Sequence, residues 1–319
     1  MYKLIRFFNQ NRKRIIRIIL IIVFLLVLIQ LLNYFAKNKN DDNNMQKNDI
    51  EINNFINRQE LVSDKSAISG KSISQNKLEN DTNVINEFLN YCNKGNIELA
   101  YELLTNECKE EMFPTIESFR NIYYKNIFNE ESKSYTIENW IGDVYQVSIT
   151  GDILSTGKID SVDSKQDYIT IVKNDNQYKL NINNYIGRTI LNKEKEDKGV
   201  KITIRSVDTY MDYEIYNIYV ENNSNEDILL DTSDDSKSIY LQDSKDVKYY
   251  FYNNEIIQSK MKVESKYKKD LQIKFSNSFS SNRNIKNIIF SKMVLNYKEY
   301  INLQDKTKYD NFYQFKINV

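Results

Sequence analysis

The chain has 319 residues, 44 basic and 44 acidic side chains, two cysteines and no histidine. The lack of histidine excludes Ser-His-Asp and Cys-His catalysis and the histidine zinc motifs, and two cysteines cannot build a structural zinc site. Six of the positive charges precede residue 18; removing them leaves 38 basic against 44 acidic residues, a net of −6 that suits a nucleic-acid partner poorly.

Residues 18–36 carry no charge. At about 1.5 Å per helical residue they would cover the roughly 30 Å core of a bilayer, which predicts one transmembrane helix. Lys3, Arg6, Arg12, Lys13, Arg14 and Arg17 precede it without an acid. That asymmetry predicts a cytoplasmic basic tail over 1–17 and an extracytoplasmic location for the rest. Tyr34 lies two residues before Ala36, a poor cleavage site, so the span reads as a retained signal anchor rather than a leader. The expectation is a single-pass cell-membrane protein, with lipid touching both anchor and tail. The richness in Asn, Lys, Ile and Tyr is what AT-rich codons encode, which with the anchor suggests a bacterial source.

Residues 37–80 are polar and aperiodic and predict a flexible tether. From Thr82 the period turns helical, with Ile85, Phe88, Leu89 and Cys92 on one face. Gly95 breaks the run, and a second helix is predicted to turn Ala100, Leu103, Leu104 and Cys108 inward. Pro114 stops it, and Thr115 starts a third with Ile116, Phe119, Tyr123 and Ile127 inward. Cys92 and Cys108 would sit about 15 Å apart along an antiparallel helix pair, while bridged Cα atoms lie within about 7 Å, so two free core thiols are expected.

After Glu131 the period becomes two. Tyr145, Val147 and Ile149 alternate with polar residues, as do Tyr178, Leu180 and Ile182, around a strand over 168–172 and a turn over 174–176. Helices followed by an antiparallel sheet make an α+β domain over 81–192. The charged stretch 192–199 is the best domain boundary. Beyond it Val200, Ile202 and Ile204, then Tyr216, Ile218 and Val220, alternate with polar residues. Further short strands near 227–231, 237–242, 246–252, 256–264, 269–275, 285–297 and 310–318 predict a β-sandwich over 200–319.

The run Lys94-Gly95-Asn96-Ile97-Glu98-Leu99-Ala100-Tyr101-Glu102-Leu103-Leu104-Thr105, with Pro114 and Glu117-Ser118-Phe119, resembles the opening helices of bacterial nuclear-transport-factor-2-like (cystatin-like) domains. The resemblance covers about 82–191. It implies a cone-shaped fold of three helices on a curved antiparallel sheet, with a cavity between them. Some members of that superfamily are isomerases or dehydratases, and others are assembly modules. Members on single-pass anchors include components of type IV secretion and conjugation machines. The region 200–319 is similar to the immunoglobulin-like domains of exported bacterial proteins. The expected architecture is therefore multidomain: one transmembrane helix, an α+β cone and an all-β immunoglobulin-like sandwich.

No catalytic, cofactor-binding or metal-binding constellation emerges. The function expected is that of a non-enzymatic envelope protein, an extracytoplasmic binding or assembly module for protein or cell-wall partners, in a setting such as conjugation or secretion. The alternative is a small-ligand receptor whose cone cavity would be lined by Tyr123 and Trp140. A carboxylate-dependent enzyme is the third reading, with Asp143 and Asp152 near strand ends as its acids. Oligomeric state has no signature in the sequence.

Overall fold

The computed structural model describes residues 63–319, apart from 130, 152–163, 175–176, 233–236, 252–260 and 282. Helix α1 spans Gln75–Asn93 and buries Asp81, Thr82, Ile85, Phe88, Leu89 and Cys92 along one face. It begins ahead of the expected Thr82, because Leu78 also packs on the core. Gly95, in the left-handed region at φ +70°, ends it. Helix α2 is Ile97–Glu102 and α3 is Asn106–Met112.

The single helix expected over this region is broken at 103–105. There the backbone pairs with a distant strand: Thr105 N–H donates to the Leu180 carbonyl and Leu180 N–H to that of Leu103, at 3.0 and 2.9 Å. The Thr105 hydroxyl restarts the helix by accepting from Cys108 N–H. Helix α4, Ile116–Phe119, opens with a reciprocal Thr115–Ser118 capping box. It continues through a π turn, Arg120–Tyr124, into α5, Lys125–Ile127. Cys92 and Cys108 are free and buried.

Strands β1 (Lys133–Ile141), β2 (Val144–Gly151), β3 (Lys165–Asn174) and β4 (Gln177–Asn181) form an antiparallel sheet in that order. Their pleat aims Tyr145, Val147, Ile149, Ile169, Ile171 and Leu180 at the helices, where they complete the first core. Residues from the expected tether strap the edge of this sheet. Ala67 and Ile68 N–H donate to the carbonyls of Asn139 and Trp140 at 2.9 and 3.1 Å.

A second four-stranded antiparallel sheet contains β5 (Tyr185–Asp197), β6 (Val200–Tyr210), β7 (Tyr213–Asn222) and β12 (Lys268–Ser276), in the order β12-β7-β6-β5. Against it lies a third, β10-β9-β13-β14, built from β9 (Ile239–Asp243), β10 (Lys248–Tyr250), β13 (Ile285–Met293) and β14 (Tyr313–Asn318). Strands β8 (Ile228–Leu229) and β11 (Lys262–Val263) pair separately, and α6 is Tyr297–Asn302. Val200, Ile202, Ile204, Tyr216, Ile218 and Val220 from one sheet meet Leu241, Ile288, Phe290, Phe315 and Ile317 in the second core.

The charged stretch read as a boundary is the end of β5 and its hairpin turn. Lys198 and Gly199, at φ +50° and +75°, make the left-handed pair that suits strand twist in a two-residue loop. The hairpin serves both cores: Tyr185 and Tyr210 lie in the first, Ile202 and Ile204 in the second. The described residues form one compact unit.

The expected fold class is corrected. Strand makes up 47% of the described residues, which are therefore mostly antiparallel β rather than three helices on a sheet beside a sandwich. The physical cause is the pairing at Leu104 and the π turn, which divide the helical region after α1 into short pieces. The membrane placement is corrected as well. Among the described residues no helix is long and apolar enough to cross a membrane. Helix α1 is the longest of them and is apolar on one face only, with Lys77, Glu79 and Glu87 elsewhere on it. The predicted span 18–36, the tail 1–17 and most of the tether lie outside the described residues.

Candidate functional site

The sheet separates the two aromatic residues expected to line a cavity. Tyr123 comes from the π turn and is 1% exposed. Its ring stacks on Phe119 at 5.6 Å and meets Phe88 at 5.9 Å and Phe113 at 6.0 Å. Trp140 is the extra residue of a β-bulge between Asn139 and Ile141. It packs edge-on against Tyr168 at 5.3 Å, and Tyr168 points to the face of β3 opposite Ile169. Of the two expected acids, Asp143 sits in the β1–β2 turn, largely exposed and ion-paired with Lys77 at 2.7 Å. Asp152 lies outside the described residues.

The Tyr123 hydroxyl donates to Asp167 Oδ2 at 2.6 Å, deep in the first core. Asp167 is 2% exposed and also accepts from Asn183 and Asn184 N–H, at 3.1 Å each. Both asparagines have left-handed backbones, at φ +59° and +63°, so the carboxylate clamps the turn leading into β5. Burial raises the Asp167 carboxyl above the usual carboxylate range, against the pull of these hydrogen bonds. A raised acid beside a phenol is a pairing used for proton transfer, but the rings of Phe88, Phe113 and Phe119 fill the approach.

The clamp has a pH consequence. With its native pKa raised, Asp167 holds a proton in the folded chain that the unfolded chain has released, so its contribution to stability is complete below the unfolded pKa and is lost as pH rises through the native one. The expected result is that Asp167→Asn loses less stability than the parent between pH 4 and 7 in urea titrations. Parallel losses in the two proteins would show that Asp167 does not titrate as described.

A second polar cluster ties α3 to the β5–β6 hairpin. Asp208, fully buried, accepts from Tyr185 Oη at 2.9 Å, from Arg188 Nε at 2.7 Å and from Asn217 Nδ2 at 2.5 Å. The Arg188 guanidinium also reaches Glu110 and Glu111 at 3.2 Å each, and Tyr210 Oη donates to Glu111 at 2.9 Å. Burial and these carboxylates push the Tyr185 and Tyr210 phenols up. Three acids thus share one arginine, and among the described residues no group of three acidic or cysteine side chains converges in a metal-binding arrangement. A further buried pair, Glu214 and Arg283, closes at 2.6 Å; burial raises the Glu214 carboxyl and Arg283 lowers it. In the second turn of α1, Asp81 accepts from Tyr145 Oη at 2.8 Å and pairs with Lys77.

Each of these acids is aimed at a structural partner. Among the described residues an open groove of about 370 Å³ lies at the sandwich edge, lined by Lys193, Glu194, Lys195, Lys316 and Asn318. Sequence reading missed it because its residues come from an apparent linker and from the far end of the chain. The one local signal was Lys193 and Lys195, which stand across from the buried Ile204 and Ile202. No protein-family model, curated protein or solved structure matches the chain.

Proposed function

We propose that this protein is a binding and assembly module, working through its surface rather than through catalysis or an internal ligand pocket. The observation that carries the reading is the aromatic packing of the first core. A receptor pocket needs a cavity of several hundred Å³ with a few convergent polar groups. Here Phe88, Phe113, Phe119 and Tyr123 occupy that space, and its buried acid is spent on a backbone turn. The resemblance of 82–191 to nuclear-transport-factor-2-like domains agrees with this use, since many such domains serve assembly.

The test is site-specific cross-linking in cells. A photoreactive amino acid replaces Leu99 or Ile122 on the helical side, or Lys193 or Tyr267 on the sandwich, all exposed. Discrete cross-linked species from one set of positions, absent from the other, are expected. An unmodified chain at all four positions would overturn the reading.

A further inference from the structure

The two sheets of the sandwich are left unzipped along one edge. Among the described residues, strand β5 is the edge of one sheet, paired with β6, and β14 is the edge of the other, paired with β13. At one end the edges are pinned, where the Tyr313 hydroxyl donates to Asp197. Lys195 Nζ lies 5.1 Å from the centre of the Phe315 ring, so the strands run alongside each other in opposite directions. Toward Lys193 and Asn318 the edges are not hydrogen-bonded to each other, and the groove of about 370 Å³ opens between them. Asn192, left-handed at φ +48°, forms the bulge that starts this part of β5.

The charge of the groove is one-sided. Lys193, Lys195 and Lys316 line it; its acid, Glu194, is engaged by Lys201 at 2.8 Å, and Lys195 has a more distant counter-charge in Asp197 at 3.9 Å. Lys193 and Lys195 stand opposite Ile204 and Ile202 and so lean toward the core side of the edge. Charges pointing inward on an edge strand discourage pairing with another apolar strand, because the added strand would bury them without a counter-charge. A strand that brings carboxylates at alternate positions removes that objection and gains the main-chain hydrogen bonds of the free edge.

We propose that the open end of the β5–β14 seam binds an extended acidic peptide segment, which adds to the strand edge and sets its carboxylates against Lys193, Lys195 and Lys316. The proposal rests on the reading of the protein as a binding module and names the chemistry of one partner.

The experiment titrates the full chain against a fluorescein-labelled peptide of alternating Asp and Val, followed by anisotropy. Three competitors are compared: the Lys-Val peptide, an Asp-Val peptide N-methylated at every second amide, and citrate. The Asp-Val peptide is expected to bind at least tenfold more tightly than each, and Lys193→Glu with Lys316→Glu to weaken it at least tenfold. Both lysines are exposed, so the variant should keep the parent's thermal midpoint; Lys316→Glu alone is the fallback and should show the same direction. Binding should also weaken between 0.1 and 1 M salt, as the Debye length falls from about 10 to about 3 Å. Equal affinity for the N-methylated peptide or citrate would overturn strand addition and leave a plain anion site. Unchanged affinity in the lysine variants would overturn the location. Cross-links through Leu99 or Ile122 with no peptide binding would leave the module reading standing and this proposal rejected.

Discussion

Asp208→Ala is expected to lower the unfolding free energy by about 3–5 kcal/mol, the cost of breaking a buried ion pair from one side. Asp208 is 0% exposed and accepts hydrogen bonds from Tyr185, Arg188 and Asn217 at once. Alanine leaves the buried Tyr185 phenol without its acceptor, at about 1–3 kcal/mol, while the Asn217 amide keeps Ser206 Oγ at 3.1 Å. It also removes the closest counter-charge of Arg188, which keeps Glu110 and Glu111 at 3.2 Å. Glu110 is largely exposed and contributes little through solvent. Urea titration reads the effect directly, with an unchanged m-value confirming that stability alone moved. A loss below about 1 kcal/mol would mean that the glutamates hold Arg188 without Asp208. Asp208→Asn keeps the shape and should fall between alanine and the parent.

Phe119→Ala should be similarly costly, at about 3–5 kcal/mol. The ring is fully buried among Phe88, Tyr101, Phe113 and Tyr123, with centroids 5.5–6.3 Å away. Removing it deletes apolar burial and opens a void that the surrounding rings only partly close. Ile122→Ala, three positions on but half exposed, should change stability by no more than about 0.5 kcal/mol. An apolar void of this kind stays dry and takes up benzene. Benzene should therefore raise the thermal midpoint of Phe119→Ala and leave that of the parent unchanged. A parent stabilised as much as the variant would mean that the first core already holds a cavity, and the receptor reading would return.

Local periodicity was legible wherever an element has one wet and one dry face. Ile85, Phe88, Leu89 and Cys92 predict the buried stripe of α1, and Val200, Ile202 and Ile204 the inner face of β6, because the 3.6 and 2.0 repeats are properties of the backbone. The break at 103–105 was not legible, since nothing within that segment opposes a helix strongly. Its cause is Leu180, far along the chain, whose backbone groups take the hydrogen bonds that a continuous helix would have used. The charged residues 192–197 read as a linker because an edge strand needs no apolar partner on its free side. Their composition records exposure, not the absence of structure.

The candidate site divides in the same way. Tyr123 and Trp140 are both aromatic and both near the first core in sequence, yet they lie on opposite faces of β1–β4: Tyr135, Ile137 and Asn139 alternate toward the core, which turns Trp140 to the far face, against Tyr168. Lys193 and Lys316 give no sign of each other in the sequence. They meet because two sheets, each built from local alternation, stack so that one edge of each remains open.

Composition by itself determined which chemistries are absent, since a side chain that is not encoded cannot act, and alternation determined which stretches become strands. Only the tertiary structure decided that Tyr123 is buried among the rings of Phe88, Phe113 and Phe119, that the charged stretch 192–199 belongs to a shared hairpin and that a basic seam runs between two strand edges. Those outcomes depend on contacts between residues remote in sequence, and such contacts are set by how whole faces of sheets and helices exclude water together rather than by any one segment's preference.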